Sequence, residues 1–404
     1  GFSYEVTRTD SKTRARCGRI STPHGSIQTP AFVPVGTQGS VKSLDPLDLV
    51  DLDVHLFFVN TYHMVLRPGM ERMKKFGGIH SFMHWDRPVI TDSGGFQIFS
   101  LGSKRFGNTN SDDGGKPLLV SLDDTGVRFR SHWDGSEYEF TPERSMEYQW
   151  NIGSDIHIAF DDCTPYPVSP ESASRSMERT HLWATKSLSA HQQCWKTAGN
   201  EGKPYQALYG SIQGSVYESL RKKSAMFVTG MPFDGFAIGG VSVGESKEDM
   251  KHVLDWVTPL LPDGKPRHLL GVGEIDDIFE LIAHGVDTFD CVGPTRLARM
   301  GTAYVHPWGV HRYGNDAADR FQINITKSVY LDDDGPIDPL CGCATCKRFS
   351  RGYIAHLFRS RELLAYRLLT IHNIAFVNNL VLSIRESIAS STFLELQDTW
   401  LYNK

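Results

Sequence analysis

Short runs of β-branched and aromatic residues, each stopping at a polar residue or a glycine, recur along this chain at 31–35, 56–60, 88–92, 155–160, 206–210, 235–238, 268–272 and 287–291. Runs of this length bounded this way read as buried strands. Between most of them the apolar positions switch to a spacing of three and four, notably over 169–195, 216–227, 247–261 and 275–284, which predicts amphipathic helices. Eight strand-and-helix units fit an α/β fold of the TIM (β/α)8 barrel type best, with an open doubly wound sheet as the alternative. A barrel carries a corollary: its chemistry belongs at the C-terminal ends of the strands, where the loops of different units meet.

Two stretches break the rhythm. Residues 102–136 are rich in Gly, Asp, Asn and Ser, with a hairpin pattern over 118–133, and read as an excursion between strands three and four. Residues 301–351 separate strand eight from the last helical pattern. The domain map is therefore a barrel over 1–300, an inserted module over 301–351 and closing helices over 352–404. No low-complexity tract, heptad run or long-period repeat is visible.

Composition narrows the class. Hydrophobic residues make up 40% of 404, ample for a large core, and the formal charge of −5 argues against a surface coated with basic residues. It leaves room for a local phosphate-binding patch. Cys17, Cys163, Cys194 and Cys291 are scattered without framework spacing, and no uninterrupted apolar run approaches ~18 residues. Gly1-Phe2-Ser3-Tyr4 leads straight into charged residues rather than an apolar signal segment. The expectation is a cytoplasmic protein with no membrane span.

The other three cysteines crowd into six residues, Cys341-Gly342-Cys343-Ala344-Thr345-Cys346. Soft thiolates at CxCxxC spacing supply three corners of a tetrahedral structural zinc site, one ion per chain. His356 and His372, both in the helical stretch that follows, are the candidates for the fourth corner. Buried free thiols or a disulfide with one cysteine left over are the alternative, although a CxC disulfide is strained.

Candidate chemistry sits at the predicted strand ends. Asp92 ends strand three and is followed by Ser93, two glycines and Phe96; alone, it reads equally as a helix cap. Asp290 ends strand eight, with Arg296 and Arg299 close behind. Two carboxylates on one rim can act as nucleophile and general acid/base at a glycosidic bond, and the arginines can hold phosphates. Asp161 and Asp162 after strand four could serve catalysis or accept hydrogen bonds from a bound base, and Gln213 after strand five and the Gly239-Gly240-Val241 backbone add donors and acceptors suited to a flat heterocycle. Together they describe a nucleobase pocket.

At this point the segments DSGGFQ, FDDCTPYP, SIQGS, GGVSVGE, GVGEIDDI and FDCVGPTR, with CxCxxC followed by His372-Asn373, resemble the tRNA-guanine transglycosylases in order and over almost the whole chain. The resemblance implies a TIM barrel with a zinc-binding insertion near its end, and exchange of guanine at the wobble position of tRNAs with GUN anticodons for a 7-deazaguanine, in queuosine biosynthesis. Carried over residue by residue, Asp290 would attack ribose C1′ and Asp92 would shuttle protons. Asp161, Gln213 and the Gly239 to Val241 backbone would read the base beside Ser93, with Phe96 and Leu270 on its faces and Gly271 nearby. Arg296 and Arg299 would hold the anticodon loop, and Cys341, Cys343, Cys346 and His372 would bind Zn2+. Family habit implies a homodimer.

Within that family, bacterial members take preQ1 and eukaryotic members take the bulkier queuine. Cys163 and Val243 match the bacterial pocket, which implies preQ1; Leu297-Ala298 departs from the common bacterial form. Other readings are the same exchange with queuine as the incoming base, a non-catalytic tRNA-binding subunit, which would lack a catalytic acid, an archaeal-type exchange at another tRNA position, and a metal hydrolase, which would need His-rich strand ends.

Overall fold

The computed structural model describes residues 1–98, 119–131, 133–308 and 321–402. Eight parallel strands form the centre: β1 Ala31–Pro34, β2 Phe57–Val59, β3 Val89–Thr91, β4 Ile156–Ile158, β5 Ala207–Ile212, β6 Gly235–Ile238, β7 Arg267–Leu269 and β8 Thr288–Cys291. They neighbour one another in the order β1-β8-β7-β6-β5-β4-β3-β2. A parallel bridge between Val35 and Phe58, with the Gly36 N–H donating to the Phe58 carbonyl at 2.7 Å, joins the two ends. The sheet therefore closes on itself as a TIM-type barrel, and the open doubly wound alternative falls.

Side-chain alternation along each strand sorts the barrel into two cores. Val33, Phe58, Ile90, Ile158, Tyr209 and Ala237 belong to the cluster filling the interior. Their strand neighbours Phe32, Leu208, Phe236, Leu269 and Phe289 pack outward with helix residues such as Val253, Leu254, Ile278, Ile282 and Val381. The strands are buried on both faces, which is why the sequence shows continuous apolar runs rather than alternation.

An antiparallel sheet of Ser3–Thr9, Arg16–Thr22 and Gly25–Thr29, absent from the expected elements, plugs the N-terminal mouth. Its Ile20 and Ile27 join the interior cluster. Tyr4 and Arg16 hydrogen-bond Asp287 at 2.7 and 2.7–3.0 Å, and His24 meets Asp155 at 2.8 Å; each acid immediately precedes a barrel strand. With that mouth closed, chemistry is left to the opposite one.

The helices follow their sequence signals. Ser169 caps α1 Pro170–Asn200, and Ser246 with Asp249 forms a capping box on α2 Lys247–Val257. α1 runs five residues beyond its expected end. The expected 247–261 helix stops at Val257 and continues as a 3-10 turn, Thr258–Leu260, at Pro259. The hairpin expected over 118–133 is a three-stranded antiparallel sheet, Leu119–Leu122, Val127–Arg130 and Glu137–Phe140, while 99–118 lie outside the described residues.

α3 Leu363–Ala389 ties the C-terminal module to the barrel. Its first half, with Leu368, Leu369 and Ala375, packs around the cysteine loop, and its second half, with Val377, Leu380, Val381 and Ile384, packs on the barrel's outer face. Twenty-seven residues give about 40 Å of rod, enough to reach both. This helix is long and apolar enough to cross a membrane by length and composition, although polar residues interrupt its apolar runs. Yet 67% of its most apolar window is buried inside the fold, so its hydrophobicity is used by the core.

Candidate active site and metal centre

Asp92 lies one residue beyond β3, buried, with both carboxylate oxygens engaged. The Thr61 N–H donates to Oδ1 at 2.8 Å and Asn60 Nδ2 to Oδ2 at 2.7 Å, both from the start of helix Thr61–Leu66 that follows β2. Burial pushes its carboxyl up to about 6; hydrogen bonds from Asn60, Thr61 and Gln97 pull the other way, and the Asp290 charge adds to the rise. A carboxyl poised there can both give and take a proton near neutrality.

Asp290 is held differently. It lies inside β8 rather than after it, facing the barrel interior. His268 Nε2, at 3.0 Å, and the Gly271 N–H, at 3.1 Å, both meet Oδ1. Among the described residues no hydrogen bond reaches Oδ2. Gly271 adopts a φ of +76°, and a Cβ there would lie 2.5 Å from Ser242 Oγ, so the close turn after β7 that delivers this N–H requires glycine.

Asp161, after β4, accepts from Ser93 Oγ at 3.0 Å and from Gln213 Nε2 at 2.6 Å. Burial raises its carboxyl to about 6, against the pull of those two donors. Loops after β3, β4 and β5 thus converge on one carboxylate. Gly239 and Gly240 complete the wall: a Cβ on either would come within 2.5–2.6 Å of the Gln213 amide, and Gly240 has a φ of +66°. Val241 and Cys163 are buried beside this wall, burial pushing the Cys163 thiol up, while Val243 and Leu270 are half-buried. Phe96 is 40% exposed, a face open to a ligand. Arg296 is exposed on helix Gly293–Arg299, and Arg299 Nη1 donates to the Thr295 carbonyl at 2.9 Å.

At the far end of the chain, Cys341, Cys343, Cys346 and His372 bring their ligand atoms within 4.8 Å of one another. His372 is the tenth residue of α3. Its Nδ1 stands 3.2 Å from Cys346 Sγ and 3.6 Å from Cys343 Sγ, while Nε2 donates to the Tyr304 carbonyl at 2.7 Å. That outer contact fixes the tautomer that leaves Nδ1 free for a metal. His356 is exposed on Arg351–Arg359 and stands apart from the cluster. A buried Cys3His set converging at this spacing fits a tetrahedral metal such as zinc.

The family profile of queuine tRNA-ribosyltransferases matches residues 10–404. The queuine tRNA-ribosyltransferase of Roseiflexus sp. (strain RS-1) is 44% identical over 414 aligned positions, covering 99% of each chain. That of Desulforudis audaxviator is 45% identical, covering 99% of this chain and 98% of its own. The chain belongs to the queuine tRNA-ribosyltransferase family.

Several residues of this family member escaped the sequence reading. Asn60 and Thr61 hold Asp92, and His268 holds Asp290. Arg221, wholly buried, donates to the carbonyls of Ile212, Ser215, Gly239 and Gly240 at 2.6–3.0 Å, clamping the loops after β5 and β6. Asn60 ended an expected strand, so its position was a signal. Nothing distinguishes Arg221 from a surface helix residue in one dimension. A cleft of about 980 Å3 is lined by residues including Ser242, Gly271, Glu274, Val292, Arg296 and Leu297. Two further clusters of metal-ligating residue types have other partners: Lys247 neutralises Glu274, Asp276 and Asp277 at 2.7–3.2 Å, and His24 and His80 stack at 3.6 Å against Asp155.

Proposed function

We propose that this protein exchanges guanine at the wobble position of tRNAs with GUN anticodons for preQ1, through a covalent intermediate on Asp290. Family membership makes it a pentosyltransferase acting on tRNA, a tRNA-guanine transglycosylase. The observation that carries the finer reading is the asymmetry of the two acids: Asp92 has both oxygens hydrogen-bonded and a carboxyl near 6, whereas Asp290 keeps one oxygen without a hydrogen bond among the described residues.

In the first displacement Asp290 Oδ2 bonds ribose C1′ as the C1′–N9 bond breaks, and protonated Asp92 returns a proton to the departing guanine. In the second, N9 of the incoming deazaguanine bonds C1′, the Asp290 ester bond breaks, and Asp92 takes the N9 proton. Two inversions at one carbon preserve the sugar configuration. Asp161, fixed by Ser93 and Gln213, accepts from the base's N–H groups, with the Gly239 to Val241 backbone along its edge, Phe96 and Leu270 on its faces and Gly271 nearby. Arg296 and Arg299 meet the anticodon-loop phosphates, whose nucleotides must be splayed for C1′ to be reached.

For the incoming base we favour preQ1, because buried Cys163 and half-buried Val243 narrow the wall where queuine's substituent would lie. Of the Leu297-Ala298 departure noted in the sequence, Ala298 is buried in the core around the cysteine loop and Leu297 packs, half-buried, against the barrel's outer core. Cys341, Cys343, Cys346 and His372 would hold one structural zinc, which supplies folding energy to the module over 301–351. We further infer a homodimer working in the cytoplasm, where its tRNA resides. The test is exchange of radiolabelled guanine into an anticodon-loop minihelix, with preQ1 and queuine as competing bases. Displacement of label by preQ1 far ahead of queuine is expected; no incorporation of guanine would overturn the assignment.

A further inference from the structure

We infer that His268 is a positioning residue that aims Asp290, deciding which carboxylate oxygen attacks, with Thr288 setting the tautomer of its ring. The inference rests on the transglycosylase reading of Asp290 given above.

The three residues form a chain across two neighbouring strands. His268 on β7 pairs in register with Thr288 on β8, and Asp290 lies two residues further along β8, so all three face the barrel interior. His268 Nδ1 is 2.8 Å from Thr288 Oγ1, and Nε2 is 3.0 Å from Asp290 Oδ1. The ring is fully buried and stacks on Phe58 with centroids 5.9 Å apart and planes at 21°. It therefore has one orientation.

When the Thr288 hydroxyl donates to Nδ1, Nε2 carries the ring proton and donates to Asp290. Oδ1 then receives two donors, His268 Nε2–H and the Gly271 N–H, which draw down its electron density. Oδ2 keeps its lone pairs and makes the bond to C1′. In the ester so formed, Oδ1 is the carbonyl oxygen and keeps both donors. They stabilise the charge that returns to the carboxylate when the second displacement breaks the Oδ2–C1′ bond. The same pair of hydrogen bonds thus orients the attacking group and improves the leaving group.

The experiment compares guanine exchange by the full chain with that of three variants, each checked by thermal melting. His268→Phe keeps the ring volume and the Phe58 contact but removes both nitrogens. A misaimed carboxylate should lower kcat on the order of 10- to 100-fold, with KM for the minihelix within about twofold. His268→Gln, whose amide nitrogen reaches the place of Nε2, should recover most of that loss. Thr288→Val, which removes the hydroxyl that keeps Nδ1 an acceptor, should fall between them. Wild-type kcat in His268→Phe, or equal loss in Phe and Gln variants that both melt like the parent, would overturn the inference. Where the Phe variant fails to fold, unchanged kcat in Thr288→Val overturns it instead. No exchange by the unaltered protein would bring down the transglycosylase reading and this inference with it.

Discussion

Replacing Asn60 with Ala should move the two halves of the exchange in opposite directions. Asn60 donates to Asp92 Oδ2 at 2.7 Å and thereby favours the ionised carboxylate. It caps helix Thr61–Leu66 through its backbone, with no side-chain cap bond, so the substitution leaves that helix's start intact. In the parent, Asp92 sits at about 6 against an ordinary 3.8, a difference of about 2 pH units or roughly 3 kcal/mol. At pH 7 about a tenth of the molecules then hold Asp92 protonated, roughly 150 times the fraction an unperturbed aspartate would give. A hydrogen bond to a charged group contributes roughly 1.5–3 kcal/mol, so losing it should raise the carboxyl by roughly one further unit after water partly fills the gap.

In the proposed mechanism covalent-adduct formation needs Asp92 protonated, so in the parent its rate should fall as pH rises through about 6; in the variant this fall should move upward, and at pH 8 the adduct should form several-fold faster. In that mechanism release of the adduct by an incoming base needs Asp92 ionised, so that step should slow by about twofold at pH 7 and by nearly tenfold at pH 5. Single-turnover gels for the first step and labelled-base chase for the second, from pH 5 to 9 at saturating RNA, read both. Rates that move the same way in both steps would refute the acid/base assignment. The sign for stability follows from the same shift. Burial of ionised Asp92 opposes folding fully above about 6, and that cost is lifted as pH falls toward 3.8.

Three other outcomes are expected. Asp290→Asn should form no covalent RNA adduct on denaturing gels where the parent does, with exchange down by several orders of magnitude; wild-type-like exchange would remove Asp290 as nucleophile. Metal analysis should find one zinc per chain in the parent and in His356→Ala but not in His372→Ala, whose module should also melt at lower temperature; zinc retained by the His372 variant would mean the fourth ligand lies elsewhere. The parent should exchange preQ1 much faster than queuine, since even one excess methylene in a packed site costs ~1–3 kcal/mol, and Val243→Gly should admit queuine with guanine exchange largely kept. Equal rates for the two bases in the parent would refute the steric reading of Val243 and Cys163.

Local chemistry in the sequence was enough for some of this. Strands buried on both faces must be continuous apolar runs, so all eight were legible, with ends matching or displaced by at most three residues. The exception in kind was 268–272, whose last three residues leave the sheet to make the Gly271 turn that reaches Asp290. CxCxxC was legible as a candidate metal site because three thiols at that spacing supply three corners of one tetrahedron. The N-terminal sheet was missed because its strands Ser3–Thr9 and Arg16–Thr22 alternate with polar residues and lack the runs sought.

What the sequence determined by itself was the unit repeat, the three thiolates and the acids at strand ends, since each is written in consecutive residues. Tertiary structure alone decided how those groups are tuned. Barrel closure sets Asn60 against Asp92 and His268 against Asp290 across neighbouring strands, and Ser93 and Gln213 against Asp161 from loops far apart in the chain. It also chose His372 over His356, because helix packing buries one imidazole against the thiols and leaves the other in solvent. Hydrogen-bond partners and burial depend on through-space neighbours, and a carboxylate's reactivity is made of those two things.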